Sequence, residues 1–290
     1  MFLKMDSFLL QPNSSSTINL YNGTFEKSEN VIARNRMIDV SLLGNGNRQR
    51  LSDDSWTEDG NITVLNFKSG EPGTWVAGVS TSPNNIELSA TDFNDYLEHD
   101  GVLDMLEWRK QNNASDQPAV EKYSKHVKAI FQVGDKKTDD WKTPLGYPIE
   151  FVPQKNPYEV KTGESLPVQL LRNGQPLANQ LVYTGFSEGA ASHGHEHKEG
   201  EEHSHDATKT TTDANGIINL DISQDGHWFL RSIHMALSEE PGLTHESNWA
   251  TLTFEVTHSH EPQSTGIPTA LYWIAGLFVV AGVFLYLRKK

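Results

Sequence analysis

Apolar residues in this chain come in short runs broken by Asn-, Gly-, Ser- and Pro-rich connections, a rhythm that favours strands over helices. Residues 1–10 read as a strand already in progress. Runs at 17–21, 38–43, 62–67 and 75–79 follow at the short spacing of an antiparallel sandwich. The period then changes. Phe93, Tyr96 and Leu97 recur at helical spacing behind Ser89 and Thr91, either of which can cap the first turn. Gly101 breaks that run ahead of Leu103 and Leu106, and a further helix is expected from Asp116-Gln-Pro118, with proline in its first turn. The helical segment thus covers about 91–124. Residues 127–133 return to strand character, and the charged, unpatterned stretch from Gly134 to Asp140 marks a linker over 135–145. In the second half, Arg172-Asn-Gly-Gln175 and Asp213-Ala-Asn-Gly216 are hairpin signals, because Asn-Gly accepts positive φ. Around them lie strands at 166–171, 181–186, 217–222, 227–234 and 249–256. The expected organisation is a β-rich domain over 1–134, a sandwich domain over 146–257 and a polar stalk over 258–266.

The longest apolar run decides the expected topology. No charged residue interrupts 267–287 (IPTALYWIAGLFVVAGVFLYL), and about 20 apolar residues span a bilayer core. Tyr272 and Trp273 near one end and Tyr286 near the other suit the membrane interface. The following Arg288-Lys-Lys290 predicts a cytoplasmic C-terminus, with the body of the chain on the periplasmic or extracellular side of the cytoplasmic membrane. Such a chain needs an export signal. Residues 1–6 lack the basic and apolar regions of one, so the expectation is that Met1 lies inside the mature protein and that a signal peptide precedes it.

Composition narrows the chemistry. With 38 acidic against 24 basic residues the formal net charge is −14, a surface that repels nucleic acid and attracts cations. The absence of cysteine rules out thiolate zinc sites, iron–sulfur clusters and disulfides. Twelve histidines are present, and five of them fall in one stretch, Ser192-His-Gly-His-Glu-His-Lys-Glu-Gly-Glu-Glu-His-Ser-His-Asp206. Here His193, His195, His197, His203 and His205 alternate along the chain, so that on an extended backbone neighbouring rings share a side. Five carboxylates accompany them. Imidazole suits nickel, cobalt, zinc and copper, and carboxylates add charge and further ligands, so the tract over 192–206 reads as a metal collector. The bland alternative is a solvated acidic loop that happens to be rich in histidine. A selective site asks for ligands on rigid elements. His227 and His234 flank one expected strand, seven residues apart and so on opposite faces. One of them could join a site with His245, expected in the loop that follows, or with Glu246. His258 and His260 could lend ligands from the stalk, whereas His99 and His126 are expected to be solvated or structural.

There is no His-Glu-x-x-His and no P-loop, and Gly44-Asn-Gly46 lacks the third glycine and the βαβ setting of a dinucleotide loop. The expectation is a protein that is not an enzyme.

Two resemblances add to this. The second half, with Gly174-Gln-Pro-Leu-Ala178, Asp213-Ala-Asn-Gly216 and Gly226-His-Trp-Phe229 between its strands, resembles immunoglobulin-like bacterial surface modules. Met1-Phe-Leu-Lys4, Phe93-Asn-Asp-Tyr-Leu97, Tyr123-Ser-Lys-His-Val-Lys128, Gly146-Tyr-Pro-Ile-Glu-Phe-Val-Pro153, Asn156-Pro-Tyr-Glu-Val-Lys-Thr-Gly163 and Trp249-Ala-Thr-Leu-Thr-Phe254 together resemble an uncharacterised bacterial family described as the periplasmic component of cobalt and nickel uptake systems. Members carry a signal peptide ending just before a His-Asp pair ahead of the first strand, which this chain lacks. The resemblance implies an accessory that handles metal outside the membrane. One membrane helix cannot form a transport path, so uptake would require a separate membrane permease as partner.

The fold expected is therefore mainly β: two immunoglobulin-like β-sandwich domains, a short helical insertion and one C-terminal transmembrane helix. The function expected is capture of nickel or cobalt, or zinc or copper, for a membrane uptake system. The rivals are an extracytoplasmic module that binds protein or glycan, and a metal-tolerance buffer.

Overall fold

A computed structural model describes residues 1–187 and 207–257. The chain begins with β1 (Phe2–Lys4), β2 (Leu9–Leu10) and β3 (Ser15–Tyr21). Next come β4 (Met37–Gly44), β5 (Asn47–Arg50), β6 (Trp56–Asp59), β7 (Ile62–Lys68), β8 (Gly73–Thr81) and β9 (Asn84–Leu88). Two helices follow, α1 (Ala90–His99) and α2 (Leu103–Gln111), and then the long β10 (Ala119–Val133). The rest is β11 (Ile149–Pro153), β12 (Ser165–Arg172), β13 (Gln175–Pro176), β14 (Leu181–Ser187), β15 (Thr208–Thr211), β16 (Ile217–Asp221), β17 (Gly226–Leu237) and β18 (His245–Val256).

Among the described residues these strands form three sheets. The first runs β1-β3-β7-β6. The central sheet runs β15-β14-β17-β18-β10-β8-β4-β5, with β2 and β9 also paired to β10. The third joins β11, β12 and β13, with β16 on β12. The pivot is β10. Its first residues pair with β9, its last with β8, and residues 121–129 run parallel to β18. A parallel pair needs a long crossover. Here the crossover is the whole stretch from Gly134 to Thr244, so strands from both sides of 135–145 share one sheet. That stretch is itself tied down: Asp140 is buried, and its carboxylate accepts from Asn45 N, Gly46 N and Thr138 Oγ1.

Alternation along β10 sorts the packing. Val127, Ala129, Phe131 and Val133 face the first sheet, where they meet Leu3, Ile18, Leu20 and Leu65. Earlier on the same face, Ala119 lies under the helices with Ile233 and Met235, against Phe93, Leu97, Val102 and Met105. On the opposite face Ile130 joins Phe151, Leu166, Val168, Leu220, Trp228, Leu230, Leu252 and Phe254 in the core shared with the third sheet. Residues 127–133 are buried on both faces, which accounts for apolar residues at both parities, Lys128 and Gln132 excepted. Met1–Thr257 forms one compact unit.

Local signals hold where they were strongest. Ser89 caps α1, accepting from Asp92 N at 3.2 Å. Gly101 ends it with φ +74 and carries no Cβ that would overlap the Tyr183 hydroxyl. Asn173 and Gly174 turn the β12–β13 hairpin with φ 49 and 73. The helical segment, however, ends at Gln111 rather than near 124. Residues 112–118 form a turn, Arg109 reaches across to hold Gln117 O at 2.6 Å, and β10 begins directly after Pro118. The proline that suits a helix start suits a strand boundary equally well, because either position spares its missing N–H.

Among the described residues no helix is long and apolar enough to cross a membrane. The expected span at 267–287 and the stalk at 258–266 lie outside the described residues.

Candidate functional site

His126, on the face of β10 turned to the third sheet, is 2% exposed. Ser124 Oγ donates to Asn248 Oδ1 at 2.9 Å, which leaves Ser124 Oγ to accept from His126 Nε2 at 3.0 Å. Nδ1 then accepts from Ser80 Oγ at 2.9 Å. Both ring nitrogens are spent on structure, and burial holds the pKa down to about 4.

His245 does not lie in a loop. It opens β18, 3% exposed, with its ring 4.7 Å from that of Phe93 beneath α1. Thr244 Oγ1 accepts from Val120 N and donates to Val120 O, so the 2.7 Å contact to His245 is a donation from Nδ1. Nε2 is left as a lone pair in apolar surroundings, and burial brings the pKa to about 4. His234 stands on the other face of β17, where Nδ1 donates to Gln180 Oε1 at 3.0 Å because Gln180 Nε2 is committed to Ile233 O.

The histidines therefore do not gather. His227 and His234 face opposite sides, as their spacing predicts. His227 and His245 share a face but stand at opposite ends of it: His227 pairs with Glu255, and His245 pairs with Leu237. Ten residues of strand, about 33 Å at the usual rise, separate the two rows. Glu246 alternates to the face away from His245 and pairs with Lys122 at 3.6 Å. Register therefore separates His245 from both His227 and His234, and Glu246 from His227. Among the described residues no three His, Asp or Glu side chains converge as a metal set. His99, at the end of α1, is exposed.

His227, at the start of β17, is 7% exposed and packs edge-on to Phe8 at 5.1 Å. Its Nε2 lies 4.0 Å from Glu255 Oε2, which accepts from Phe8 N at 2.9 Å. Burial pushes the carboxyl of Glu255 up and the imidazole of His227 down. Glu255 escaped the sequence reading. The signal that could have found it is parity, since both residues sit near the ends of strands that pair antiparallel.

Two other buried polar groups were not foreseen. Lys128 Nζ meets Glu150 Oε2 at 3.0 Å, each side chain 1% exposed, and donates to Phe151 O at 2.8 Å. Glu121, 2% exposed, accepts from Tyr96 at 3.1 Å and from Ser247, and burial raises its pKa. Each is enclosed by packed elements.

His193, His195, His197, His203 and His205, and also His258 and His260, lie outside the described residues. The strands at the edge of that first group are described. β14 and β15 pair antiparallel, Thr184 against Thr208, so 192–206 falls within the connection of a hairpin at one edge of the central sheet.

No similar sequence is found among curated proteins. Of solved structures, the chain is similar to the D0-D1 domain of intimin at 14% identity, covering 88% of this chain and 98% of that one, with a TM-score of 0.20. An alpha-2-macroglobulin from Escherichia coli is similar at 10% identity over 87% of this chain and 15% of that one, with a TM-score of 0.24. TM-scores this low do not establish a shared fold. Residues 1–236 match the domain of unknown function DUF4198, and the chain belongs to that family.

Proposed function

We propose that this chain is a membrane-anchored, extracytoplasmic metal-binding accessory that captures nickel or cobalt and presents it to a membrane permease. The observation that carries this is the segment 192–206, with five imidazoles and five carboxylates in fifteen residues. Its setting supports the role: a hairpin connection can be elaborated without disturbing the cores. The buried, hydrogen-bonded state of His126, His234 and His245 leaves the capturing to other histidines. The net charge of −14 concentrates cations at the surface. Residues 267–287 supply the anchor, and the third sheet with its facing strands is read as an immunoglobulin-like sandwich. A collector of this kind imposes little geometry, so zinc and copper compete, with copper tightest. Binding fades as pH falls through about 6.5, where imidazoles protonate.

The test is cellular nickel and cobalt accumulation under scarcity, with His193, His195, His197, His203 and His205 all changed to alanine. Accumulation should fall while the protein level stays constant. Unchanged accumulation sinks the reading, and a defect seen only under excess metal replaces capture with tolerance buffering.

A further inference from the structure

A buried imidazole almost always has a hydrogen-bond partner. Among the described residues His126, His234 and His245 each have one and His227 has none. Its ring, 7% exposed, makes no hydrogen bond among the described residues, and Nε2 faces Glu255 Oε2 across 4.0 Å, beyond hydrogen-bond reach. Both groups sit on adjacent strands in direct register, His227 against Glu255, so their backbones are fixed by the central sheet. The carboxylate is further held by Phe8 N, and the Phe8 ring closes one side of the imidazole. These are two donors of the kind that nickel, cobalt and zinc prefer, on rigid elements and only partly satisfied.

We infer that a divalent transition-metal cation binds between His227 Nε2 and the Glu255 carboxylate, with water filling its remaining positions. Metal–nitrogen and metal–oxygen bonds of about 2.0–2.2 Å span donors at this separation with a small closing movement. Burial keeps His227 in the neutral form that a metal ligand requires. Nearby in the chain, Asp6 and Ser7, directly before Phe8, line an open groove with Ser15, Thr17 and Asn66. Asp6 adds negative charge beside His227. In the third row of the same register, Ser187 of β14 stands opposite His227, at the end of the strand that leads into the histidine segment. The inference rests on the metal-handling reading above and adds to it a fixed position, distinct from the collector.

The experiment uses the full chain in detergent and nickel(II) alone as probe, titrated by calorimetry at neutral pH. In a second protein His193, His195, His197, His203, His205, His258 and His260 are all changed to alanine. That variant should retain one equivalent of binding. Adding His227→Gln should weaken the retained binding at least tenfold. Adding Glu255→Gln instead, which keeps an acceptor for Phe8 N, should do the same, with the thermal transition showing that both variants remain folded. Loss of all binding in the seven-histidine variant overturns the inference while leaving the collector intact. Retained binding that is indifferent to His227→Gln and Glu255→Gln also overturns it. A full chain that binds no nickel removes both readings together.

Discussion

Each histidine buried in a neutral form makes the fold sensitive to acid. For His126 and His245 the folded pKa is about 4, against about 6.5 in the unfolded chain. The unfolded chain takes up protons over that interval and the folded one does not. The stability is therefore complete above about pH 6.5 and is lost progressively as pH falls towards 4, by up to about 3 kcal/mol for each ring. Glu121 acts in the opposite sense: its pKa is raised, so its contribution is present below about 4.5 and is lost as pH rises. The diagnostic is a difference between proteins. In His126→Gln the fall in Tm between about pH 7 and about pH 4.5 should shrink relative to the unmodified chain. An equal fall in both proteins would assign the acid sensitivity to other groups.

Among the elements, β10 carries the unusual demand of being buried on both faces while its sequence is half polar. Ser124, His126, Lys128 and Gln132 all point to the face shared with the third sheet, and each finds a partner on another element. Gln132 takes Thr74 on β8, and Lys128 takes Glu150 on β11. Glu150 in turn accepts from Leu145 N, Gly146 N and Tyr147 N, so the ion pair joins the central sheet to the turn that launches the third. Burial lowers the pKa of Lys128, and the Glu150 carboxylate opposes that shift. A buried pair is costly to break from one side only. Lys128→Met should cost about 3–5 kcal/mol in urea denaturation, and adding Glu150→Gln should restore part of the loss. A single substitution that costs less than about 1 kcal/mol would show that the pair does not join the sheets.

On the scale of the molecule, β18 closes the fold. It pairs along its whole length with β17 and in parallel with β10, and its Thr251 hydroxyl donates to Met1 O at 3.0 Å. The family match ends at residue 236, yet the core shared by the central and third sheets includes Ala250, Leu252, Phe254 and Val256. A chain ending at 236 should therefore lose cooperative thermal unfolding, because every edge that β18 covers is opened at once. A sharp transition at an unchanged Tm in circular dichroism would contradict this closure role.

The sequence by itself determined what depends on neighbours within a few residues. Strand positions such as 38–43 and 62–67 follow from local alternation, the start of α1 from the Ser89 cap, its end from Gly101, and the β12–β13 turn from Asn173-Gly174. The histidine tract is equally local, since composition alone marks it. What only the tertiary structure decided depends on partners far along the chain. The first half of β10 is largely polar and carries no strand signal of its own, and it becomes a strand because residues from α1, β8 and β18 satisfy its side chains. The same long-range pairing sets His245 at the far end of its face from His227 and brings Glu255 beside His227. Register is fixed by burial over whole strands, and a sequence read from one end does not contain the partner against which it is counted.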